Sequence, residues 1–274
     1  MSTGPLLELP EVTLCALDTR APDLALAAIG RCRTHIRFGR SLLLGHGQRP
    51  TPWPEGVDWV DVGPIRSAAE YSSFMLGQLL PLVQTSHVLV VQWDGFVAHA
   101  DRWDPAFLGV DYLGAPWGKA HNGHHVGNGG FSLRSRRLLQ ALHDPALAAR
   151  WHHPEDVCIA QTLRPELEQR HGIVFADLAL AQRFAFENEP PAEPTFGFHG
   201  MYNIARVVGP EAFADLMDRL PDSVITGRDG FKTARALLRD GHPALARRFL
   251  LRRHALGAAS LRTHWMSLQA RLRA

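Results

Sequence analysis

The sequence predicts an α/β fold: a mixed, mainly parallel sheet flanked by helices, with a C-terminal helical extension. Three observations carry this. Over the first 115 residues short apolar runs alternate with stretches of helical periodicity, the pattern of parallel strands joined by crossovers. Polar or glycine residues stand where those runs end, at Asp18, Gly45 and Asp94, and open parallel sheets bind ligands beyond the carboxyl ends of their strands. From about residue 211 the pattern is helical and basic. The expected division is 1–210 for the α/β domain and 211–274 for the extension.

Residues 12–17 (Val-Thr-Leu-Cys-Ala-Leu) form a buried strand ending at Asp18-Thr19-Arg20. Pro22 suits the first turn of a helix over 23–32. Residues 41–44 give a second strand, closed by Gly45-His46-Gly47, and 59–62 a third. Residues 67–83 place Tyr71, Phe74, Met75 and Leu79 on neighbouring rows of a helix. Residues 88–91 (Val-Leu-Val-Val) are a fourth strand, and Gln92 and Asp94, two apart, point to one side of it. Gly95 permits a sharp turn or a close approach. A carboxylate at such an exit needs a partner, either a divalent metal or the amides of the next loop. Residues 107–115 read as a further strand, 121–130 as a His/Gly/Asn-rich loop, 131–134 as a strand and 135–142 as a helix. Pro154-Glu155-Asp156 opens the next helix, 173–175 is a strand, and a Pro/Glu-rich loop over 187–194 precedes Phe196-Gly-Phe-His199-Gly200. Helices follow over 232–239, 244–254 and 261–273.

Composition narrows the function. A chain of 274 residues with 46% hydrophobic and 20% charged residues is an ordinary well-packed protein. No apolar run reaches the roughly 20 residues that span a bilayer, and the N-terminus lacks the pattern of a secretory signal. Cys15, Cys32 and Cys158 are odd in number and scattered, which fits a reducing cytoplasm and excludes a disulfide framework or zinc knuckle. Residues 1–200 carry 16 basic and 21 acidic residues, net −5, and residues 201–274 carry 13 and 6, net +7. That asymmetry argues for a partner or surface for the tail and against a nucleic-acid-binding core. His121, His124, His125, His152 and His153 form no H-E-x-x-H, and neither a G-x-S-x-G elbow nor a Walker A is present, which disfavours a metallohydrolase and an acyl-transfer enzyme.

Four segments, Ala16-Leu-Asp18-Thr-Arg20, Gln92-Trp-Asp94-Gly95, Gly127-Asn-Gly-Gly-Phe-Ser-Leu-Arg134 and Pro154-Glu155-Asp156, closed by Phe196-Gly-Phe-His199-Gly200, together resemble the GT-A (Rossmann-like) fold of nucleotide-sugar-dependent glycosyltransferases. They look like an uncharacterised bacterial glycosyltransferase-like family and span about two thirds of the chain. The resemblance implies transfer of a sugar, with inversion, from a nucleotide sugar (a UDP-sugar favoured) to a glycan or lipid-linked hydroxyl, in bacterial surface polysaccharide synthesis. It implies Mn²⁺ or Mg²⁺ on Asp94 and His199, although Gln92 stands where the family has a first aspartate. It implies nucleotide-sugar contacts from Asp18, Thr19, Arg20, Tyr71, Gln92, Trp93 and Asp94, and sugar or acceptor contacts from Trp117, Asn128, Gly129 and Gly130. Asp156 is the expected base that takes the acceptor proton, with Glu155 as the second choice.

Each residue also has a plainer reading: Glu155-Asp156 as a helix cap, the glycines as a tight hairpin, Trp117 as a core side chain. The missing aspartate keeps a second function open, a catalytically inactive GT-A-like module that binds glycans or assembly partners. A nucleotidyltransferase would show a basic Gly-rich loop after the first strand, and Asp18-Thr19-Arg20-Ala21-Pro22 is not one. In the tail, Leu245, Phe249 and Leu256 suggest one helix face, with Arg247, Arg248, Arg252 and Arg253 around the other. Such a segment serves either as a structural cap or as a contact with an anionic membrane or partner protein, at the inner face of the membrane of a cytoplasmic protein.

Overall fold

The computed structural model describes residues 6–121 and 124–273, so Asn122 and Gly123 of the expected 121–130 loop lie outside the described residues. The chain forms two compact units, one up to His199 and one from Gly200. That division falls earlier than composition suggests, because the turn Met201–Asn203 packs on the helix Arg228–Arg239 of the second unit.

The strands are β1 (Leu7–Leu17), β2 (Ile36–Gly45), β3 (Asp58–Asp61), β4 (His87–Val91), β5 (Tyr112–Gly114), β6 (Pro116–His121), β7 (His124–Val126), β8 (Ser132–Ser135), β9 (Ala185–Phe186) and β10 (Gly197–Phe198). Six of them make one sheet in the order β3-β2-β1-β4-β8-β5. β3, β2, β1 and β4 run parallel, and β8 is antiparallel to both β4 and β5. β8 therefore starts at the edge where the parallel strands end. Its register pairs Val90 with Ser132, which sets Gly129 and Gly130 beside the exit of β4 at Gln92.

Alternation along the strands fixes the core. Cys15, Leu17, Leu42, Leu44, Val88 and Val90 meet Phe74 and Met75 of the helix Ala68–Gly77 and Leu139 of the helix Arg136–Leu142. The helix Pro22–Arg33 buries Leu24, Ala25, Ala28, Ile29 and Cys32. Burial pushes the thiols of Cys15 and Cys32 up to about 12, so neither is a nucleophile.

Three expected elements differ. Residues 107–115 are not one strand: Asp104 caps a 3-10 turn over Pro105–Gly109, its Oδ1 accepting from the Ala106 amide at 2.9 Å, and only Tyr112–Gly114 joins the sheet. Residues 173–175 make a single bridge at Phe175, because the Asp111 carboxylate takes the Val174 amide (2.8 Å) that a ladder would need. The helix expected over 67–83 ends at Gly77, and Pro81 lies in a separate 3-10 turn, Leu80–Leu82.

The second unit is helical, with its main helices at Pro210–Arg219, Arg228–Arg239, Pro243–Ala255 and Leu261–Arg273. Its arginines are used differently from the expected pattern. Arg253 is buried and donates to the carbonyls of Ile225 (2.5 Å) and Gly227 (2.9 Å). Arg252 donates to the Leu220 carbonyl (2.7 Å) and Asp222 (2.9 Å), and Arg248 to Asp218 (2.5 Å). Leu256 is exposed, and the packed face of its helix is Ala246, Phe249, Leu250 and Arg253. Three of the four arginines expected on a free basic face thus satisfy partners within the unit.

Candidate active site

A cleft of about 430 Å³ opens beyond the carboxyl ends of β1 and β4. It gathers Asp18, Thr19, Arg20, Tyr71, Gln92, Trp93, Asn128, Gly129, Gly130, Glu155, Asp156 and His199, residues that stand far apart in the chain.

After β1, Asp18 holds the loop shape. Its Oδ1 accepts from the amides of Arg20 and Ala21, both at 2.8 Å. Thr19 Oγ1 accepts from the Ile65 amide (3.0 Å), and Arg20 donates to the carbonyl of Arg66. These bonds fix the part of the cleft wall that Asp18, Thr19 and Arg20 line. Ser67 caps the next helix, accepting from Glu70 N at 3.1 Å, and this sets Tyr71 on the cleft side.

Beyond β4 the chain turns back at once: the amides and carbonyls of Gln92 and Gly95 exchange hydrogen bonds at 3.1 and 3.0 Å. Gln92 donates from Nε2 to Tyr71 Oη (3.1 Å). Its Oε1 lies 3.2 Å from His199 Nε2, and Asp94 Oδ1 lies 3.7 Å from the same nitrogen. On the other side of the ring, Nδ1 is 3.2 Å from Glu187 Oε1 and 3.2 Å from Asn128 Nδ2. The short parallel pair β9 and β10 explains this meeting. Phe186 pairs with Phe198, so Glu187 and His199 leave the two strands side by side. Burial disfavours an imidazolium here, but the charge of Asp94 and the hydrogen bond and charge of Glu187 outweigh it and push His199 up to about 9. The ring lies so close to the glycine loop that a Cβ on Gly130 would sit 2.1 Å from His199 Nε2.

The donor set can be tested for a divalent metal. Adjacent ligands of an octahedral ion at about 2.1 Å lie about 3 Å apart. His199 Nε2 lies 3.2 Å from Gln92 Oε1 and 3.7 Å from Asp94 Oδ1, so an imidazole, an amide oxygen and a carboxylate oxygen are gathered around one nitrogen. Among the described residues no group of three or more His, Cys, Asp and Glu side chains is placed to hold a metal ion. Asp94 and His199, with Gln92 beside them, are the residues that could contact a metal brought in with a ligand.

The same cleft holds a carboxylate pair. Glu155 is buried: its Oε1 accepts from Arg134 Nη2 (3.2 Å), its Oε2 from Ser72 Oγ (3.2 Å), and its amide donates back to Ser72 Oγ (3.2 Å). Arg134 is fully buried, donating also to Ser132 Oγ (3.0 Å) and the Gly129 carbonyl (3.3 Å), while its Nη1 finds no partner among the described residues. Asp156 is only partly buried and accepts from the amides of Val157 (2.8 Å) and Gly129 (3.3 Å). Burial, and next the negative charge of Glu155, raise its pKa above the usual carboxylate range. Two adjacent carboxylates thus have distinct environments: Glu155 is locked, and Asp156 is accessible and weakly basic.

Trp117 and Asp94 are the expected residues that do not line the cleft. For Trp117 the reason is packing. Its ring packs on Gly127, where a Cβ would sit 2.2 Å away, and it lines a different hollow with Gln182, Phe186 and Asn188. Asp94 does not line the cleft wall and reaches it through His199. Sequence reasoning missed Ser72, Arg134 and Glu187. Arg134 had a signal, a lone cation in the apolar run Phe131-Ser-Leu-Arg134; Glu187, in a Pro/Glu-rich loop, had none.

Residues 57–199, just over half of the chain, match a family described as protein of unknown function (DUF5672). No curated protein matches the sequence. Solved structures that resemble it include the galactosyltransferase LgtC in complex with donor and acceptor sugar analogs, 14% identical over 80% of this chain and 99% of that one, TM-score 0.47. A glycosyltransferase involved in glycosylation of the major capsid of PBCV-1 is 14% identical over 69% and 91%, TM-score 0.41. TarS of S. aureus, in complex with UDP-GlcNAc, is 10% identical over 96% and 88%, TM-score 0.38.

Proposed function

The chain belongs to the DUF5672 family of proteins of unknown function, and from its cleft we propose that it transfers a sugar, with inversion, from a nucleotide sugar to a hydroxyl of a glycan or lipid-linked acceptor. The observation that carries this reading is Asp156: a partly exposed carboxylate of raised basicity that lines the same strand-end cleft as Gln92 and His199, with Asp94 beside His199. A group transfer of this kind needs both elements. The acceptor oxygen attacks the anomeric carbon as its proton passes to Asp156, and the bond from that carbon to the nucleoside diphosphate breaks with both electrons going to the diphosphate.

The remaining groups take roles by position. Asp94 and His199 would hold Mn²⁺ or Mg²⁺, with Gln92 beside them; such an ion, when bound, neutralises the charge gathering on the departing diphosphate. Asp18, Thr19, Arg20 and Tyr71 border the same cleft and would contact the nucleotide, a UDP-sugar being favoured. Gly129 and Gly130 line the cleft and would contact the sugar or acceptor, and their missing side chains leave room for Glu155, Asp156 and His199 to pack against the loop. Glu155 we reassign from an alternative base to a positioning residue, since Arg134 and Ser72 occupy its carboxylate. The three buried free cysteines fit a cytoplasmic reaction.

The deciding experiment is a screen of nucleotide sugars by thermal shift with and without Mn²⁺, followed by transfer assays on the hits. The reading expects one donor class to stabilise the protein in a metal-dependent way and to be consumed. Binding without turnover by any donor would favour a glycan-binding module instead.

A further inference from the structure

The helix Leu261–Arg273 packs with the wrong face for a simple cap. It buries Thr263, Met266 and Ala270, while its large apolar side chains point to solvent: Leu261 is 92% exposed, Trp265 61%, Leu268 45% and Leu272 79%. At 100° per residue these four fall within about 60° of one another, a single ridge opposite the buried side. The rotation is fixed by the start of the helix. Ser260 N donates to Thr263 Oγ1 (2.8 Å), Thr263 N donates to Ser260 Oγ (3.2 Å), and His254 Nε2 lies 2.9 Å from the same threonine oxygen. Arg262 and Arg273 flank the ridge on one side and Arg271 with His264 on the other, all exposed. From residue 241 to the last residue there are seven arginines and no aspartate or glutamate.

We propose that this ridge seats the protein on an anionic lipid surface, with Leu261, Trp265, Leu268 and Leu272 in the interfacial region and the flanking arginines among the headgroups. Leu261 and Trp265 also border a hollow with Phe231 and Leu238 that Arg235, Arg239, Arg262 and Arg273 line as well, while Leu268 and Leu272 lie outside it, so the apolar surface is surrounded by cations and suits an anionic surface. An indole at the centre of such a row suits the boundary between apolar and wet phases. Arginines on both flanks can extend to phosphate while their stems cover apolar surface. A second copy of the chain would bring arginine against arginine, with no carboxylate in this segment to offset it. No described helix is long and apolar enough to cross a membrane, so the contact is along the surface.

Co-sedimentation of the full chain with vesicles of phosphatidylcholine, alone or mixed with phosphatidylglycerol, tests the proposal. The protein should follow the mixed vesicles at low salt and be released as salt rises. Trp265→Glu with Leu268→Glu should lower partition by about a hundredfold, from the apolar area withdrawn. Replacing Arg262, Arg271 and Arg273 by Gln should cost about fivefold per arginine and erase the preference for anionic vesicles. Both variants change exposed side chains and should melt like the native chain. Failure of the native chain to sediment with either vesicle overturns the proposal, as does native-like sedimentation of the Trp265→Glu, Leu268→Glu variant. A fall in its melting temperature would make the ridge a packing surface. A dimer in light scattering that Trp265→Glu dissociates would assign it to a second copy.

Discussion

Arg134 and Glu155 offer the sharpest test of how the cleft is held. Arg134 is fully buried and the Glu155 side chain is 8% exposed, with Nη2 and Oε1 3.2 Å apart. Removing one partner strands the other charge in the interior, at a cost of about 3–5 kcal/mol, whereas removing both often costs little. Arg134→Met and Glu155→Gln should therefore each destabilise by about 3–5 kcal/mol, and the double variant by far less than their sum. At roughly 2–4 °C per kcal/mol for a chain of this size, each single change lowers Tm by about 6–20 °C. Urea denaturation of the native chain and three variants gives the coupling energy directly. In Glu155→Gln the one amide oxygen can still accept from Arg134 and the amide NH2 can donate to Ser72 Oγ, so it should be the milder of the two. Additive single changes, or a cost below about 1 kcal/mol for Arg134→Met, would refute a functioning ion pair.

Asp156→Asn should remove transfer by a factor of about 10² to 10⁴ while donor binding survives; equal loss of binding would make Asp156 structural. Because its pKa is raised, the base form appears only as pH climbs past the usual carboxylate range, so activity should rise with pH there. Glu155→Gln removes a charge that raises that pKa and should move this limb to lower pH; a profile that does not move would separate the limb from Asp156. The stability sign is opposite: a raised carboxyl pKa stabilises the fold at low pH and loses that contribution as pH rises through it. Asp94→Ala should abolish metal-dependent nucleotide binding in calorimetric titration, and unchanged metal-independent affinity would remove the ion from the site. Gly130→Ala, with a Cβ 2.1 Å from His199 Nε2, should displace the ring, cost about 1–3 kcal/mol, and weaken the same binding; a neutral result would show that the ring is not held there.

Periodicity and strand-end chemistry were legible because they are local. The apolar run ending at Gln92 and Asp94, the strand before Asp18 and the glycines before β8 each declare an element and its edge within a few residues. In a parallel sheet those edges lie on one side, which made the strand ends at Asp18 and Gln92 legible from order; Gly45, expected beside them, is covered by Trp59 and lies off the cleft, and Gly129 and Asp156 were expected there from the resemblance. Pairing is not local. Nothing near Glu187 announces that β9 and β10 run side by side and deliver it to His199, and Arg134 meets Glu155 only because β8 lies between β4 and β5. The tail shows the same limit: its basic, amphipathic composition is plain in the sequence, yet which face is buried depended on packing. There Phe249, Leu250 and the Arg253 stem are used inside, and Leu261, Trp265, Leu268 and Leu272 are left on the surface. Sequence determines which residues form an element and where it ends; which side chains meet across elements is decided by register and rotation, set by the sum of contacts over the whole unit.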